Sequence, residues 1–164
     1  MENKLIFNRE KMTLLLEVKL DESILDNLND EASKKGLNKK EEFHTTLIGY
    51  STGQKIISIG RDNIDSIIEN IYQEFKWQFS PKNEFYYIEK DYPENEKRRS
   101  IIQVIDLPEL PVFYKKMNET LGTNFEIPFP HTTLFTNSTN EENRYKGIGI
   151  YSEEEFNLLK PIKI

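Results

Sequence analysis

One four-residue phrase occurs twice, and it constrains the fold of this chain more than any other feature. His44-Thr45-Thr46-Leu47 returns as His131-Thr132-Thr133-Leu134, an offset of 87 residues (131 − 44). Applied upstream without a gap, the same offset lays Thr13-Leu14-Leu15-Leu16 on Ser100-Ile101-Ile102-Gln103 and Leu20 on Leu107. Asp21 and Pro108, each suited to open a helix, also coincide. The repeat therefore predicts two strand–helix–strand units, at about residues 12–50 and 99–136, each ending in the same phrase. These two phrases hold the only two histidines in the sequence.

The local patterns agree with that division. Residues 12–20 read as an aliphatic strand, followed by a helix with Ile24, Leu25 and Leu28 at helical spacing and Gly36 as its stop. Residues 42–50 read as a strand, and 62–75 as a helix with an isoleucine-rich face. Strands are expected at 76–79 and 84–89, joined by a turn through Pro81, with an exposed polar loop at 91–98. The second unit runs through a strand at 100–107, a helix at 108–121 closed by Gly122, and a strand at 131–135. A polar loop at 137–146 and a last strand at 147–151 follow, and Ser152 with Glu155 forms a capping box. No flexible linker separates the halves, so one domain over 1–164 with two similar lobes is expected.

Composition narrows the function classes. The chain has 164 residues and no cysteine, which removes disulfide scaffolds, zinc fingers, iron–sulfur sites and a cysteine nucleophile. It carries 22 basic and 28 acidic residues, a formal charge of −6. A protein that wraps long duplex nucleic acid needs a broad basic face, which this balance argues against. A small nucleotide in a local pocket remains compatible with it. Lys97, Arg98 and Arg99 form the densest basic cluster, read as solvated surface charge. Apolar runs are too short to span a bilayer, and Arg9, Glu10 and Lys11 interrupt any leader-like opening. The expectation is a soluble cytoplasmic protein without a membrane partner.

Alternation along a strand puts His44 and Thr46 on one face and Thr45 and Leu47 on the other, and likewise His131 and Thr133 against Thr132 and Leu134. Leucine belongs to the core, so each His–Thr pair should face away from it. If the halves pack about a twofold axis, two imidazoles and two hydroxyls face one cleft. An imidazole titrates near neutrality, so one ring can accept a proton while the other donates one. Threonine hydroxyls can donate to the non-bridging oxygens of a phosphate in the transition state. This chemistry requires no metal or cofactor, and no spacing typical of metal ligands is present. Alternation also assigns Phe135 to the His131 face, where it would wall the pocket or stack on a base. Tyr50, Tyr86, Tyr87 and Tyr92 are further candidates for meeting a base.

The two His-x-Thr-hydrophobic motifs in a duplicated strand–helix–strand arrangement resemble the 2H phosphoesterase superfamily, over about residues 12–151. That group includes RNA 2′,5′-ligase-like proteins, cyclic nucleotide phosphodiesterases and enzymes that degrade 2′,5′-oligoadenylates. Pro130-His131-Thr132-Thr133-Leu134 matches its second motif closely. The resemblance implies a bilobal α+β fold with two largely antiparallel sheets around a central cleft. It also implies an acid–base pair of His44 and His131, with Thr46 and Thr133 on the phosphate. Phe135 and Thr136 depart from the basic or polar residue that many members carry after the second motif.

The expected function is a metal-independent phosphodiesterase acting on a small nucleotide or RNA end, at a 2′,3′-cyclic phosphate or a 2′–5′ or 3′–5′ linkage. One alternative is degradation of a cyclic oligonucleotide or 2′,5′-oligoadenylate immune signal. An alternative of another class is a protein that sequesters a nucleotide without turnover.

Overall fold

The structure is a computed structural model and describes residues 3–164. It is α+β. Eight strands, β1 (Leu5–Asn8), β2 (Thr13–Glu17), β3 (Asn38–Lys39), β4 (His44–Ile48), β5 (Ser80–Tyr92), β6 (Glu96–Asp106), β7 (His131–Ser138) and β8 (Ile162–Lys163), form one open sheet. Its order is β1-β2-β4-β7-β6-β5-β8, and every pairing is antiparallel. β3 lies beyond β4 along the same edge of β7, through Asn38↔Thr136 and Lys39↔Phe135. Where two sheets were expected there is a single one. Its join between β4 and β7 is the register pair Thr45↔Thr132, the middle of the repeated phrase.

The register on either side of that join matches residue for residue. β2 meets β4 through Leu14↔Ile48, Leu15↔Thr46, Leu16↔Thr45 and Glu17↔His44. Adding 87 to each number gives Ile101↔Phe135, Ile102↔Thr133, Gln103↔Thr132 and Val104↔His131, all of them pairs between β6 and β7. Both ladders slip at the same place. Leu47 and Leu134 are each passed over, and each makes a bulge of two residues against one.

Five helices accompany the sheet: α1 (Glu22–Lys34), α2 (Tyr50–Ser58), α3 (Ile64–Tyr72), α4 (Glu109–Leu121) and α5 (Glu153–Leu158). Asp21 caps α1 by accepting from the Ser23 N–H at 3.0 Å. Gly122 ends α4 with φ +66°, a left-handed value that costs glycine nothing. The helices are exchanged between the ladders. α1 follows β2, yet its Leu25, Leu28 and Ala32 share a buried cluster with Ile101, Leu134 and Phe135. α4 follows β6, yet Leu110, Phe113, Tyr114 and Met117 join Leu14, Leu16 and Leu47. The Tyr114 hydroxyl donates to the Leu47 carbonyl at 2.6 Å, which fixes α4 to the bulge of β4. A third cluster lies on the other face of the sheet, where Ile148, Ile150 and Phe156 cover Ile88 and Ile102.

Several local expectations need correction. The strand over 42–50 stops at Ile48, because Tyr50 opens α2. Residues 76–79 form no strand, and 80–92 is one long strand with an irregularity between Pro81 and Phe85. The polar stretch at 91–98 is no loop but the end of a hairpin. Glu94 and Asn95 take φ of 64° and 61°, the left-handed pair that suits the twist of a tight hairpin. Residues 147–151 form no strand and are held mostly by side chains, with one backbone bond from the Phe129 N–H to the Ile150 carbonyl. No helix among the described residues is long and apolar enough to cross a membrane.

Candidate active site

β4 and β7 bring the two His–Thr pairs together. His44, Thr46, His131 and Thr133 all line one cavity of about 180 Å³, with Lys40, Glu42 and residues 147–149 completing its wall. Thr45 and Thr132 point into the core on the opposite face. Their hydroxyls are buried without a partner among the described residues, so they take no part in this cavity. Among the described residues, no group of three or more His, Asp or Glu side chains is placed to hold a metal ion.

The two imidazoles meet different surroundings. His44 is half-buried, and its ring makes no hydrogen bond among the described residues. Burial holds its pKa below the ordinary imidazole value. The Lys40 charge adds to this, Glu42 opposes it, and His131 contributes a small further lowering. His131 is only 8% exposed. Its Nδ1 lies 2.7 Å from the Phe129 carbonyl and its Nε2 lies 3.1 Å from the Ile148 carbonyl. A carbonyl only accepts, so both contacts are hydrogen bonds only when the ring carries two protons. Burial pushes this ring below its ordinary value too, while the two carbonyls pull it back up. Lys40 is itself partly desolvated, which lowers its pKa, and it donates to the Tyr145 carbonyl at 2.7 Å.

Residues 147–149 press directly on the site. A Cβ at Gly147 would stand 2.6 Å from the Thr133 hydroxyl oxygen, so any side chain at this position would force Thr133 to shift. Thr46, His131 and Gly149 also line a second, larger cavity of about 620 Å³. Its rim carries Lys11, Lys146 and an aromatic set of Tyr50, Tyr92, Phe129 and Tyr151. Tyr50 is 60% exposed, and the Tyr151 hydroxyl accepts from the Ser51 N–H at 3.2 Å.

Of the residues expected at the site, the four members of the His–Thr pairs converge and Phe135 does not. Phe135 is 1% exposed and sits beneath α1 with Leu134. The bulge at Leu134 explains this, since it puts two successive residues on the core face and breaks the alternation that assigned Phe135 to the cleft. Tyr50 and Tyr92 do line the larger cavity. Tyr86 instead packs on Phe156, and Tyr87 lies in the core cluster under α1. The basic cluster separates in space. Lys97 pairs with Glu89 and Asp91, Arg98 pairs with Glu96 and reaches the cavity wall, and Arg99 donates to the Lys35 carbonyl. Phe129, Tyr151 and residues 147–149 were not anticipated. Glycines at alternate positions 147 and 149 are their one visible mark in the sequence. Comparison with family models, with curated proteins and with solved structures finds no match for this chain.

Proposed function

We propose that this chain is a phosphodiesterase of the 2H type, acting in the cytoplasm on a nucleotide substrate by paired-histidine acid–base catalysis. One observation carries the reading: two His-x-Thr pairs at matching register positions line a single small cavity. The shared bulge supports a second part of it, that the two halves are related lobes packed around a cleft. A protein that only sequesters a nucleotide has no need for two imidazoles in matching positions.

In this mechanism His44 is the general base. Its ring makes no hydrogen bond among the described residues, and burial and Lys40 keep it neutral, so it can take a proton from an attacking water or ribose hydroxyl. His131 is the general acid. With Nδ1–H donating to the Phe129 carbonyl, its Nε2–H is the proton to give to the departing oxygen. Thr46 and Thr133 donate to the non-bridging oxygens as charge builds on them. The two histidines carry the proton transfers, and no step is assigned to a metal.

The larger cavity favours substrates with more than one nucleoside. At 180 Å³ the histidine cavity is below the ~300–1,000 Å³ of ordinary ligand sites and fits a phosphate group, while 620 Å³ lies within that range. Its aromatic rim suits a base and its lysines a further phosphate. A linear or cyclic oligonucleotide would fill both spaces. The test is a substrate panel in the presence of EDTA: 2′,3′-cyclic mononucleotides, linear 2′–5′ and 3′–5′ dinucleotides, and cyclic di- and trinucleotides, with products identified by mass spectrometry. Turnover of a multi-nucleoside substrate above the cyclic mononucleotides supports the reading. Tight binding without any product would support sequestration.

A further inference from the structure

Residues 145–150 have no regular secondary structure, yet six successive carbonyls along them are each held. Tyr145 O accepts from Lys40 at 2.7 Å, Lys146 O from the Thr136 hydroxyl at 2.9 Å, and Gly147 O from Arg98 at 3.2 Å. Ile148 O faces His131 Nε2 at 3.1 Å, Gly149 O accepts from Lys90 at 2.8 Å, and Ile150 O accepts from the Phe129 N–H at 3.1 Å. Lys90 is also paired with Glu155, and Arg98 with Glu96, so the anchors are themselves fixed.

This arrangement conflicts with the chemistry assigned to His131. The nitrogen that must deliver a proton to the substrate is occupied by Ile148 O. The neighbouring Gly147 lies against the Thr133 hydroxyl that must reach a phosphate oxygen. The backbone here can turn aside, however, while the buried Ile148 and Ile150 side chains stay in their cluster with Ile88 and Ile102. Apart from Ile150 O, each carbonyl is held by a side chain rather than by a strand ladder, and two glycines leave it thin. Turning the Ile148 carbonyl off His131 breaks bonds of this kind and lifts neither isoleucine from the core, so it costs far less than global unfolding.

We propose that residues 145–150 form a displaceable strap in which the Ile148 carbonyl stands in for the departing oxygen of the substrate, so that the strap must leave His131 before the acid step. The proposal rests on the acid role given to His131 above. It makes Lys90 and Thr136 positioning residues, which act through the strap and not on the reacting atoms. Opening exchanges one acceptor for another on Nε2, and the proton stays on the ring until the substrate oxygen takes it.

The test uses the full chain and needs no substrate. Diethyl pyrocarbonate modifies imidazole nitrogens, and the two histidines can be followed separately by peptide mapping. In the wild-type chain His131 should react much more slowly than His44. Lys90→Gln and Thr136→Val each remove one anchor, and each should speed the His131 reaction about tenfold, the weight of one well-placed hydrogen bond, with His44 unchanged. Either variant suffices if the other fails to fold. A wild-type His131 as reactive as His44, an unmoved rate in the folded variants, or parallel acceleration of both histidines would overturn the strap. The same variants should raise kcat/KM on the best substrate of the panel. A selective His131 response in a chain with no phosphodiesterase activity would leave the strap standing and remove the proposed function instead.

Discussion

His44 and His131 occupy matching register positions, opposite Glu17 and Val104, at the starts of two strands that bulge at the same leucine. One ring is half-open and makes no hydrogen bond among the described residues, while the other is nearly closed and sits between two carbonyls. The strands do not create this difference. On the helical face the two ladders receive equivalent cover, from α4 and from α1. On the cleft face residues 147–151 and α5 lie over β5, β6 and β7, whereas Thr13 and Leu15 of β2 line the larger cavity. The repeat thus supplies two equal imidazoles, and a single C-terminal segment makes them unequal. An acid–base pair needs that inequality.

The largest effect expected is on turnover. His44→Ala and His131→Ala should each lower kcat on the best substrate by about 10²–10⁴-fold. In a linked mechanism the double variant should lose far less than the product of the two factors. Steady-state kinetics of the three variants checks both statements.

Next comes the pair that follows each bulge, Ile48 and Phe135. Both are buried in the core, and truncation to alanine should destabilise the fold by about 2–5 kcal/mol for Ile48 and about 3–5 kcal/mol for Phe135. Urea unfolding should show these losses, while kcat/KM of the folded Phe135→Ala chain stays near wild type. A selective loss of activity would return Phe135 to the substrate. The threonines should matter less than the histidines. In the proposed mechanism Thr46→Ala and Thr133→Ala each remove one donor to the phosphate oxygens, at a cost of about 10–10³-fold in kcat.

The smallest effect concerns pH. Both imidazoles are held below their ordinary value in the folded chain, so below about pH 6.5 the unfolded chain binds more protons. Stability is therefore full above that value and falls as the pH drops through the folded-state values. Replacing both histidines with asparagine should flatten urea midpoints measured between pH 7 and 5. By the same shifts, the bell-shaped profile of kcat/KM should be centred on the acid side of 6.5.

Much of the site was legible because strand periodicity and an 87-residue offset are local and countable. They grouped His44 with Thr46 and His131 with Thr133 and placed both pairs away from the core. Asp21 and Gly122 likewise announced helix ends through side-chain capping and left-handed backbone. Phe135 was misassigned because a bulge is a property of two strands together, and alternation read from one strand cannot register it. The strap was invisible for a related reason. Its carbonyls are alike in sequence, and only the fold brings Lys40, Arg98 and Lys90 to them from three different strands or their flanks. The end of the β5–β6 hairpin, residues 91–98, reads as a loop because its charged sequence carries no apolar alternation, and its pairing comes instead from backbone bonds.

The central claim is that two equal histidines have become a base and an acid, and leaving-group dependence tests it most directly. A nucleoside p-nitrophenyl phosphodiester expels an oxygen that needs no proton, whereas a dinucleotide expels a ribose oxygen that does. The account predicts that the kcat/KM deficit of His131→Ala shrinks by about tenfold or more on the p-nitrophenyl substrate, while the deficit of His44→Ala remains. Equal deficits on both substrates for the two variants, or near wild-type turnover in both, would contradict it.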